Sequence, residues 1–63
     1  MNLYDCFCED VDIVDVDGTK WIGHVTAYTP AIDSETGEEE IAVQTNSGVI
    51  GFCASEIKSI RIK

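Results

Sequence analysis

The sequence predicts a small, mainly β fold, with five short strands curled into a barrel behind a short N-terminal helix. Three observations carry this reading. The chain has 63 residues, enough for one domain spanning 1–63 and no more. Its β-branched and aromatic residues gather in short runs separated by turn signals, Asp17-Gly18 and Asn46-Ser47-Gly48. No strand-like run alternates with a long helical pattern, so the spacing of a parallel α/β fold is absent.

Asn2 can cap a helix over 1–10, in which Leu3, Tyr4, Phe7, Cys8 and Val11 share one side and Asp5, Glu9 and Asp10 the other. Segment 11–16 is rich in β-branched residues and ends at the Asp17-Gly18 hairpin. Its alternation slips, with Val11 and Ile13 on one face and Val14 and Val16 on the other, so the strand is either buried on both faces or bulges near Val14. Segment 21–28 places Trp21, Val25 and Tyr28 off strict period two, so it must bend, and Gly23 is the natural place. A loop over 29–40 follows. Then come a strand at 41–45, a tight turn at Asn46-Ser47-Gly48, a strand at 49–54, one helical turn at 55–58 and a last strand at 59–63.

This order resembles the Sm-like (Lsm) family of SH3-like barrels, over roughly 10–63. The first Sm motif is matched by Asp17, Gly18, Trp21, Gly23, Val25 and Tyr28, in that order and spacing. The second is matched along 52–60, with Ile57 and Ile60 at its apolar positions. The resemblance implies a divergent, bacterial-type member with a helix at 1–10 and a barrel at 11–63. It also implies rings, in which the fourth strand of one subunit pairs with the fifth strand of the next. Here that edge set is Val49, Ile50, Phe52, Ile60 and Ile62. The RNA-binding residues of the family do not carry over. Its members place an Asp after the second strand, an Asn four residues on, and an Arg-Gly pair in the second motif. Thr29, Asp33 and Cys53-Ala54 stand at those positions. The missing arginine removes the planar cation that clamps a nucleotide.

Charge narrows the partners further. Twelve acidic residues face four basic ones, for a net charge of −8. Only Lys20 offsets the acids of residues 1–40, whereas Lys58, Arg61 and Lys63 outnumber Glu56 beyond them. Such a body repels phosphate backbones, so DNA is excluded as a partner and RNA affinity is expected to be weak. The plainest role of the acidity is solubility. In the loop, Glu35, Glu38, Glu39 and Glu40 form a candidate docking surface for a basic protein partner, and their spacing matches no EF-hand.

Cys6, Cys8 and Cys53 are odd in number and lack a Cys-x-x-Cys pair, so neither a disulfide nor a zinc site is expected. Cys6 is read as exposed, with Cys8 and Cys53 packing as small hydrophobes. No metal and no cofactor are expected. His24 has no nucleophile placed beside it by any motif, so no catalytic residue and no enzyme activity are expected. Trp21 and Tyr28 read as core rather than base-stacking residues. No basic leader or membrane-length apolar run is present, which points to a cytoplasmic protein. The leading expectation is a non-enzymatic interaction or scaffold module that self-associates. The alternative is a degenerate Sm-like protein with weak affinity for single-stranded RNA.

Overall fold

The computed structural model of the chain describes residues 2–63. Five antiparallel strands form one sheet: β1 (Asp10–Asp15), β2 (Lys20–Thr29), β3 (Glu40–Thr45), β4 (Gly48–Cys53) and β5 (Ile57–Ile62). The spatial order is β4-β3-β2-β1-β5. Among the described residues no backbone hydrogen bond joins β4 to β5, so the sheet ends in two open edges. No helix among them is long and apolar enough to cross a membrane.

The inner face carries Val11, Ile13, Val25, Ile41, Val43 and Phe52, all buried. Trp21, Tyr28, Ile50, Ile57, Ile60 and Ile62 pack around them, half-buried. Each fully buried aliphatic side chain is worth roughly 1.5–3 kcal/mol, so this small set carries most of the fold's stability. The outer face alternates away from it, as a sheet covered on one side requires.

The first hairpin is built by Asp15. Its carboxylate accepts from the backbone N–H of Asp17 (3.0 Å) and Thr19 (2.9 Å) and from Trp21 Nε1 (2.9 Å). Gly18 follows at φ 85°, a conformation that side-chain-bearing residues avoid. In β2, Gly23 stands against the backbone of the neighbouring strand β3. A Cβ there would sit 2.3 Å from Gln44 O and 2.7 Å from Val43 Cγ1. The register slips between Val25 and Ala27, so the bend predicted at Gly23 is shared with a bulge just beyond it. The irregularity expected near Val14 appears between Val14 and Asp15 in the β1–β5 pairing.

The N-terminal helix is corrected. In place of a helix over 1–10 there is a 3₁₀ turn, Leu3–Cys6, with Asn2 Oδ1 accepting from Tyr4 N–H at 3.0 Å. Residue 1 of the expected helix lies outside the described residues. The tighter 3₁₀ winding superposes positions three apart, so Leu3 and Cys6 share the buried side while Tyr4, Phe7 and Cys8 face out. Cys8 then takes a left-handed φ of 66°, and its N–H pairs with Val25 O at 3.0 Å, which turns the chain into β1. The expected placement of the thiols is therefore reversed for two of them: Cys6 is buried and Cys8 is exposed.

Two outcomes follow from this packing. Gly23→Ala should destabilise the fold by about 1–3 kcal/mol, the usual cost of overpacking, whereas Gly51→Ala, with open space at its Cβ, should stay within about 0.5 kcal/mol of wild type; urea unfolding followed by Trp21 emission distinguishes them. Asp15 is held below the ordinary carboxylate value of 3.8, first by the Trp21 indole and then by backbone N–H groups. Its contribution is therefore complete above that value and is lost as pH falls through the lower folded-state value. Asp15→Asn should flatten this acid limb, and an unchanged pH profile of Trp21 emission would contradict the assignment.

Candidate functional site

The register across β2, β3 and β4 brings two of the three candidate ligand positions into one row. Thr29 pairs with Glu40, and Glu40 pairs with Cys53. Thr29, Glu40, Cys53 and Glu56 line a shallow cleft of about 390 Å³ floored by Ala27, Ala42 and Gly51. Asp33 does not join them; it sits exposed in a second 3₁₀ turn, Ala31–Asp33. Cys53 is held in place by two carboxylates. Its Sγ donates to Glu40 Oε1 at 3.2 Å, and its backbone N–H donates to Glu56 Oε1 at 2.8 Å. The Glu40 contact is the main reason that the thiol's pKa lies above its ordinary value of 9.0. The row thus presents carboxylates where an RNA clamp would need a cation.

The acidic loop is more engaged than its composition suggests. Glu38 accepts from Ser55 N–H at 2.9 Å and from Ser55 Oγ at 3.0 Å, which ties the loop to the turn between β4 and β5. Glu39 accepts from the Tyr28 hydroxyl, an interaction that raises the tyrosine's pKa. Glu38, Glu39 and Glu40 are half-buried, while Asp33 and Glu35 are exposed. Sequence reasoning missed the roles of Glu40 and Glu56 at Cys53. The spacing of Glu56, three residues after Cys53, was a readable capping signal.

The outer face of β2, β1 and β5 holds three of the four cations, Lys20, Arg61 and Lys63. Arg61 Nη2 donates to Asp12 Oδ2 at 3.0 Å, and Lys63 Nζ lies 3.7 Å from Asp12 Oδ1. His24 Nδ1 is 2.9 Å from Asp10 Oδ1 on the exposed surface. A cleft of about 520 Å³ runs along this face, lined by Lys20, Ile22, Asp12, Val14, Ser59 and Arg61 among others. Among the described residues no group of three or more His, Cys, Asp or Glu side chains could hold a metal ion.

The two sheet edges have defined polarity. Ala54 N–H donates to Glu39 O, so antiparallel alternation turns the N–H groups of Val49, Gly51 and Cys53 to the open side of β4. Glu56 takes the Cys53 donor, which leaves those of Val49 and Gly51. Lys63 N–H donates to Asp10 O, so Ile60 and Ile62 face the open side of β5. The apolar side chains of these strands serve mainly the chain's own interior. Phe52 is buried and stacks edge-on against Trp21, Ile50, Ile60 and Ile62 are half-buried, and only Val49 of the set is exposed.

In comparisons with known families, characterised proteins and solved structures, nothing matches the chain.

The thiols should react in a set order. Burial, then the Asp5 charge, raises the Cys6 thiol, so Cys6 should be alkylated only on unfolding. Exposed Cys8 should react first and Cys53 at least about tenfold more slowly, and Glu40→Gln should speed Cys53 by removing the charge that opposes its thiolate. Mass-spectrometric mapping of iodoacetamide adducts at mildly alkaline pH reads this order, and Cys53 reacting as fast as Cys8 would contradict it.

Proposed function

We propose that this chain is a non-enzymatic interaction module of the Sm-like barrel kind, whose open edges join one copy to the next. The observation that carries the reading is the pair of matched edges. Val49 and Gly51 on β4, and Ile60 and Ile62 on β5, each present backbone donors and acceptors without a partner strand among the described residues. An open edge is a template for another strand. Pairing β4 of one copy with β5 of the next is heterologous and closes a ring when the rotation fits. A chain of this size also gains most from assembly, since it buries a small fraction of its surface alone.

Three further features support the choice over RNA binding. Glu40 and Glu56 flank Cys53, the net charge is −8, and among the described residues no cation lines the cleft beside Thr29. Glu35 is the exposed part of the candidate docking surface for a basic protein partner, and Asp33 is exposed beside it in the same loop. Reducing, cytoplasmic conditions suit a chain whose cysteines form no disulfide among the described residues.

The edge pairing is tested by proline. Gly51→Pro and Ile62→Pro each remove a donor from an open edge without removing a hydrogen bond inside the sheet. Sedimentation of wild type at high micromolar concentration should show an assembly, and both variants should be monomers with unchanged far-UV circular dichroism. A monomeric wild type, or variants that assemble as wild type does, would refute the reading.

A further inference from the structure

We infer that the 3₁₀ turn in the acidic loop is a peg, and that its socket is the outer cleft of a second copy of this chain. The peg is Ile32, 91% exposed, followed at once by Asp33 and soon after by Glu35, both exposed. An isoleucine so bare makes no contribution to its own core. The socket is the 520 Å³ cleft on β2, β1 and β5. Its apolar part is Ile22, 62% exposed, beside half-buried Val14. Lys20 stands on one side and Arg61 on the other. Asp12 in the same cleft is neutralised by Arg61 and Lys63, and Lys20 enters no ion pair among the described residues. In an otherwise strongly acidic molecule this is the face that suits an apolar side chain flanked by carboxylates.

The peg does not fill the socket of its own chain, since Ile32 is exposed and does not line that cleft. Ile22 lies near the start of β2 and Ile32 lies beyond its end. Most of the ten-residue strand β2 runs between them. The contact is therefore made in trans and is heterologous, since peg and socket are different surfaces. Repulsion between the acidic bodies is screened beyond about 8 Å at physiological salt, while the charges meeting in the cleft lie within that distance. The socket shares β5 with the proposed edge pairing but uses the Arg61 side chain on its outer face rather than the backbone groups of its edge, so side-chain reversals test it separately from the proline variants.

The test is a pair of charge reversals in the full chain. Asp33→Lys with Glu35→Lys alters the peg, and Lys20→Glu with Arg61→Glu alters the socket. In wild type, raising the concentration should move the amide resonances of residues 31–35 together with those of 14, 20, 22 and 61. Each double variant alone should self-associate at least about tenfold more weakly. An equimolar mixture of the two should recover association, because the wild-type peg of one fits the wild-type socket of the other, and the reversed pair also match. Ile32→Ser tests the apolar half and should weaken association without disturbing the charges. Three outcomes would overturn the inference: shifts confined to the β4 and β5 edges, which would leave edge pairing intact; no recovery on mixing; and equal perturbation of the cleft by a free 31–35 peptide and by a scrambled peptide or a uridine oligomer of the same charge, which would make the cleft a general anion surface.

Discussion

The carbonyl oxygen of Gln44 occupies the space where a side chain on residue 23 would begin, and the rest of the structure depends on that approach. A single sheet must curl to enclose a core as small as this one. The curl is made in β2, the ten-residue central strand, which pairs with β1 along its first half and β3 along its second. Glycine at 23 leaves room for the β3 backbone beside it, and the register slips after Val25. Val25 is thereby driven into the middle of the core, with Val11, Ile13, Ile41 and Val43 around it. The same curvature leaves β4 and β5 at the two ends of the sheet, separated in sequence only by the turn Ala54–Glu56.

The strands were legible because their signals are local. Asp17-Gly18 and Asn46-Ser47-Gly48 mark turns through backbone conformations that few residues adopt, and β-branched runs mark what lies between. The slip at Val14 and the bend near Gly23 could be read from broken alternation, although the exact place of the second could not. Its bulge depends on how β3 lies against β2, a contact between distant segments. The N-terminal turn misled for a related reason. Leu3, Tyr4, Phe7 and Cys8 fit a period of 3.6, while the tighter turn buries Leu3 with Cys6. Over so few residues the two periods differ by a single position, and packing against the sheet decides between them. The candidate site was legible as positions but not as contacts. That Thr29, Glu40 and Cys53 fall in one row is a consequence of register, and register is fixed by the whole sheet.

Acidity takes on a different meaning in this setting. As composition, a surplus of carboxylates speaks of solubility. In the fold, many of them are acceptors at the ends of elements. Asp15 closes the first hairpin, Glu38 holds the long loop to Ser55, Glu39 meets Tyr28, and Glu56 covers the last donor of β4. A protein made of short strands has many strand ends and no long helices, so its loose backbone and hydroxyl donors are gathered at turns. Carboxylates satisfy such donors with charge-assisted bonds, which are stronger than neutral ones. The charge left over belongs to side chains without such a task, Asp33 and Glu35 among them.

The distribution of the cations completes the argument. Lys20, Arg61 and Lys63 lie on one outer face, where two of them neutralise Asp12, and none lies in the cleft that Thr29 and Cys53 share. The molecule therefore has direction: a face of mixed charge with exposed Ile22 on one part of the sheet, and an acidic loop with exposed Ile32 past the far end of the same strand. Its edges have direction as well, with basic residues along β5 and acidic residues around the end of β4. Like-to-like contacts would set equal charges against each other at either place. Head-to-tail contacts would set opposite charges together at both, so the charge pattern and the open edges both support the proposed assembly.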